Sequence, residues 1–76
     1  MTGKVMDAVA RNSVEIELLL VRDETGRVWE FVTEGPIGVD AGHLLVHRDT
    51  GEEVQVGYTK RDGSLIALEV NDLPSR

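Results

Sequence analysis

The sequence predicts a mainly β chain: five strands curled into one small barrel, with a single short helix between the third and fourth. Three observations predict it. Turn-forming clusters at Arg11-Asn12-Ser13, Asp23-Glu24-Thr25-Gly26 and Arg61-Asp62-Gly63 separate runs rich in β-branched or aromatic residues. Only the segment from Ala41 to Thr50 carries helix punctuation at both ends, with Asp40 as N-cap and Gly51 as the stop. The 76 residues, 41% apolar and 29% charged, suit a single domain with one core.

Strands are expected at Lys4 to Ala10, Val14 to Arg22, Arg27 to Thr33, Glu53 to Lys60 and Ser64 to Asn71. In the first, an alternation that buries Val5 and Val9 also points Asp7 inward, so a bulge near Asp7 is expected to switch faces. In the second hairpin, keeping charge out of the core sets Arg22 opposite Arg27, Leu20 opposite Trp29 and Leu18 opposite Phe31, with Ile16 continuing the apolar face. The other face then carries Glu15, Glu17, Leu19, Val21, Val28, Glu30 and Val32. In the last hairpin a three-residue loop, Arg61-Asp62-Gly63, pairs Lys60 with Ser64, Tyr58 with Ile66, Val56 with Leu68 and Val54 with Val70. Gln55, Thr59 and Glu69 are left outside.

The helix places Ala41, Leu44, Leu45 and Arg48 on one stripe, so the leucines are expected to plug one end of the barrel while the arginine reaches water. Ile37, in the rigid loop Gly35-Pro36-Ile37-Gly38, can join that plug. Five strands with the helix between the third and fourth is the element order of an OB-like Greek-key barrel. An SH3-like small barrel is the alternative. His43-Leu44, His47, Gly51-Glu52, Val54-Gln55-Val56, Tyr58 and Gly63-Ser64-Leu65-Ile66-Ala67 together resemble a run in short bacterial proteins of unknown function that form OB-like barrels. The resemblance spans residues 43 to 72 and implies a fold, with no catalytic residue, cofactor or partner to carry over.

Composition narrows the function classes. The absence of cysteine removes disulfides, thiolate metal sites and thiol nucleophiles. A net charge of -6 disfavours nucleic acid as a partner. An OB-fold binding single strands would offer stacking rings beside a basic groove, but Trp29, Phe31 and Tyr58 are all expected in the core, and Asp62 adjoins the small basic corner of Lys60 and Arg61. Apolar runs such as Leu18 to Val21 are far short of a membrane span, and Met1-Thr2-Gly3-Lys4-Val5 lacks the apolar run of a leader, so a cytoplasmic location is expected.

His43 and His47, at i and i+4 on one helical face, could place two imidazoles on a zinc, nickel or copper ion. Two ligands are not a site. Neither Glu34 nor Asp40 is compelled into place as a third, and Leu44 stands where zinc hydrolases carry glutamate, so no metal or cofactor is assigned. Glu15, Glu17 and Glu30 share an open face where acid-base chemistry lacks a cleft, and no enzyme activity is expected. The expected function is a protein-interaction or self-association module using Leu19, Val21, Val28, Glu30 and Val32 on the outer face of the second hairpin. Single-strand nucleic-acid binding is the alternative, and metal binding through His43 and His47 the second.

Overall fold

Glycine at position 3 shows how tightly neighbouring strands pack: a Cβ there would collide with the carbonyl of Arg22. The computed structural model, which describes residues 1–73, has strands β1 (Thr2–Ala10), β2 (Ile16–Arg22) and β3 (Val28–Thr33), helix α1 (Ala41–Thr50), and strands β4 (Glu53–Arg61) and β5 (Ser64–Asp72). They close as β1-β2-β3-β5-β4, with β4 returning to β1 through Gly3 opposite Val54. β3 and β5 run parallel, Val32 opposite Ile66, and the other neighbours are antiparallel. This is an OB-like barrel, with the helix where the sequence places it.

Both hairpin registers differ from expectation, by one residue in β2–β3 and by one to two residues in β4–β5. Asp23 organises the β2–β3 turn: its N–H donates to the Arg27 carbonyl at 2.9 Å, and its Oδ1 accepts from the N–H groups of Thr25 and Arg27 at 2.9 and 3.1 Å. Arg22 therefore pairs with Val28, Val21 with Trp29, Leu20 with Glu30 and Leu19 with Phe31. Charge still stays out of the core, because Leu20 and Glu30 both turn away from it. Leu19 and Val21, expected on the outer face, are fully buried, while Leu18 and Leu20 are only half-buried. Ile16 remains inside because the β1–β2 ladder slips between Val9 opposite Leu18 and Ala10 opposite Ile16, leaving Glu17 as an extra, outward residue.

In β4–β5 the loop is two residues, not three. Asp62 and Gly63 have φ of 52° and 81°, the pair of positive values that a tight hairpin turn of primed type demands, and Arg61 pairs with Ser64. A slip between Gly57 and Tyr58 then sets Tyr58 opposite Ala67, Val56 opposite Val70 and Val54 opposite Asp72. Ala67 is buried, and Leu68, expected inside, is exposed.

β1 bulges between Val5 and Asp7 as expected, which turns Asp7 outward; Val5 and Ala8 are buried, and Val9, expected inside, is exposed. Leu44 and Ile37 enter the core and Leu45 packs against it, so the helical plug forms as the stripe predicts. Arg48 reaches out to Asp7 at 3.6 Å. Among the described residues no helix is long and apolar enough to cross a membrane.

Candidate metal centre

α1 begins where Asp40 accepts the His43 N–H at 2.8 Å, and ends where the Gly51 N–H donates to the His47 carbonyl at 2.9 Å with Gly51 in the left-handed region. Both caps satisfy groups a short helix would otherwise leave unpaired. One turn apart, His43 and His47 project from the same face. The chain then turns through Gly51-Glu52 into β4, whose Val54 pairs with Asp72 at the end of β5. Asp72 is thereby delivered to the two histidines from the far end of the sequence.

Three donor atoms converge. His43 Nε2 lies 2.9 and 3.1 Å from the two Asp72 carboxylate oxygens, His47 Nε2 lies 3.0 Å from Asp72 Oδ1, and the two Nε2 atoms are 3.2 Å apart. The floor is buried and the rim open: the His47 side chain is 5% exposed, those of His43 and Asp72 43% and 47%.

Proton bookkeeping gives the cluster its chemical meaning. His47 Nδ1 lies 3.3 Å from the Glu52 carbonyl, which can only accept, so Nδ1 carries a hydrogen. In the neutral imidazole that leaves a lone pair on Nε2, aimed at a carboxylate oxygen that also offers lone pairs. At 3.0 Å the pair is held either by a second hydrogen on Nε2, which then donates to the carboxylate, or by a cation that both lone pairs share. The same hydrogen bond to a backbone carbonyl is the support that orients a metal-binding histidine and fixes its tautomer. Asp72 is held below the usual carboxylate range, chiefly by its hydrogen bond from His43, with desolvation opposing.

Glu34 and Asp40, the acids considered as third donors from the sequence, are engaged elsewhere. Glu34 takes the Arg61 guanidinium at 2.7 and 2.6 Å, and Asp40 is the helix cap. Asp72 escaped sequence reasoning because it lies 29 residues from His43. The signal was nevertheless present: in an antiparallel β4–β5 hairpin the end of β5 must return beside the start of β4, which follows the helix directly.

The remaining sequence candidates are dispersed. Phe31 is buried, Trp29 half-buried and Tyr58 exposed at 38%, which corrects the expectation of three core rings. They pack together with centroids 5.5 to 6.2 Å apart. Lys60 is exposed while Arg61 is tied to Glu34. Glu15 accepts from Asn12 at 2.8 Å, and Glu17 and Glu30 face solvent. Of the proposed interaction face, Leu19 and Val21 belong to the core, and Val28, Glu30 and Val32 are exposed. Comparison with protein-family models, with curated proteins and with solved structures found no match.

Proposed function

We propose that this barrel is a binding module for a late first-row divalent metal ion, held by His43 Nε2, His47 Nε2 and Asp72. The observation that supports it is the triangle of 2.9, 3.0 and 3.2 Å among those atoms, with the His47 hydrogen already committed to Glu52. Metal–ligand bonds of about 2.0 to 2.2 Å separate neighbouring donors by about 3 Å, so the side chains need little rearrangement. Two imidazoles with one carboxylate suit zinc, cobalt, nickel or iron(II) over calcium or magnesium, which favour all-oxygen sets. The slot could otherwise hold only a proton, and the two occupants are separable by experiment.

Zinc at about a hundred times its dissociation constant stabilises a native fold by about 2.7 kcal/mol, which in a domain this small raises the thermal midpoint by roughly 10 to 20 °C. That rise is expected with zinc or nickel, not with magnesium, and it should vanish in His47→Ala and Asp72→Ala. A midpoint indifferent to every metal assigns the slot to a proton and overturns the reading.

A second reading, docking of another copy or a different protein on the outer β2–β3 face, is favoured by the exposure of Val28 (51%) and Val32 (36%) beside half-buried Leu18 and Leu20. Sedimentation across a concentration series tests self-association: a dimer lost in Val28→Glu supports it, and a monomer throughout rejects it. Nucleic acid ranks below both, since the chain carries -6, Phe31 is buried and Arg61 is neutralised by Glu34. A cytoplasmic location, where labile metal is scarce and affinity matters, belongs to the same proposal.

A further inference from the structure

We propose that the metal ion at His43, His47 and Asp72 takes an exogenous monoanionic oxygen donor, a carboxylate, to complete its coordination. This rests on the metal-binding reading above and adds to it the chemical class of the ligand.

Coordination number comes first. Among the described residues the donor group consists of His43, His47 and Asp72, with no fourth histidine, aspartate or glutamate in it. Zinc and its neighbours take at least four ligands, and closed structural sites supply all four from protein, whereas sites with three protein ligands leave a position for water or substrate. The Glu52 carbonyl is engaged by His47 Nδ1.

Direction comes second. The buried member of the set is His47, at 5% side-chain exposure, and the open members are His43 and Asp72, at 43% and 47%. Among the described residues the half-exposed side chains of His43 and Asp72 form the open side of the triangle, and an outside ligand would approach from there.

Charge selects the ligand. Two neutral imidazoles and one carboxylate leave a divalent ion with one residual positive charge, which a single monoanion cancels. Polyanions overshoot that balance and also meet a chain of net charge -6, with the Asp40 carboxylate fixed on the His43 N–H at the same end of the helix. Zinc accepts carboxylate oxygen alongside imidazole nitrogen, so the added donor needs no change of ion.

Cobalt(II) makes this visible, because its d–d absorption reports both binding and coordination. The full chain is loaded with cobalt, then titrated separately with acetate, acetohydroxamate and sulfate, and the spectrum is also followed across a protein dilution series. The expected result is a saturable shift of the cobalt bands with acetate and acetohydroxamate, and a weaker response to sulfate. If acetate shifts the bands and dilution does not, the carboxylate comes from a free small acid. If dilution itself changes the bands and acetate restores them, it comes from a second copy of the chain; both results support the inference. Cobalt bands that form but respond to neither acid nor dilution overturn it while leaving metal binding intact. Failure of the bands to form overturns the metal reading, and this inference with it.

Discussion

Asp23 and Asp72 each sit at the centre of a polar cluster, and both are held below the ordinary carboxylate range, yet the reasons differ. Asp23 is surrounded by groups that donate to it: the Thr25 hydroxyl at 2.6 Å, the Trp29 indole N–H at 2.9 Å, and the backbone N–H groups of Thr25 and Arg27. Its needs are met within the hairpin it organises, and Arg27 lies over the Trp29 ring, 4.7 Å from the centroid. Asp72 instead faces two imidazole nitrogens, each able to donate a proton or offer a lone pair, and the one in the floor has its hydrogen committed elsewhere. A carboxylate saturated by fixed donors is a folding device. One facing convertible donors is a candidate site.

That distinction can be broken by truncation. Trp29→Ala removes a half-buried ring packed on Phe31 and Tyr58 and strips one donor from Asp23. It is expected to cost about 3 kcal/mol, the lower end for an aromatic truncation, against a total of roughly 5 to 10 kcal/mol for such a domain. His43→Ala, without metal, should change stability by no more than about 0.5 kcal/mol, since the side chain is largely exposed and its backbone N–H keeps the Asp40 cap. Urea denaturation of the two variants reads both numbers. Equal losses would make the histidine cluster a second folding device and erase the contrast.

The same two carboxylates show what could be read from the sequence. Element order, the helix with its caps and the bulge at Asp7 were legible because each is signalled locally by alternation, capping residues or a charge at an inward position. Register was not. Keeping charge out of the core is necessary but does not choose which face of β2 is the inner one. The choice was made by Asp23, which bonds Thr25 and Arg27 to set a five-residue turn, and by the unpaired Glu17, which resets the alternation between Ile16 and Leu19. Likewise two of the three donors of the candidate site were legible, as His43 and His47 on one helical face. Asp72 was hidden because its partnership depends on where β5 ends relative to β4, and that follows from the Asp62-Gly63 turn and the slip at Gly57.

Acid exposes the smallest effect and tests whether the two carboxylates are as unlike as their donors. Both folded-state values are depressed, so each carboxylate contributes stability that is complete above its unfolded value and is lost as pH falls through the folded one. For Asp23 that window runs from the ordinary value of 3.8 down to about 2, led by the Thr25 and Trp29 hydrogen bonds. For Asp72 the sign is the same, led by the His43 hydrogen bond. Asp23→Asn is therefore expected to flatten the fall in thermal midpoint between about pH 4 and pH 2, since the charged form is what its donors favour. Asp72→Asn should flatten it less, because that carboxylate is half-exposed and its partner His43 lies on the open rim. With zinc present the ranking should invert at higher pH: protons compete with the metal for the same lone pairs, so wild-type and Asp23→Asn chains lose zinc stabilisation together on acidification. Asp72→Asn has none to lose. Should Asp72→Asn keep the zinc-dependent rise and its pH dependence unchanged, the carboxylate is not a ligand, and Asp72 joins Asp23 as a group that serves the fold alone.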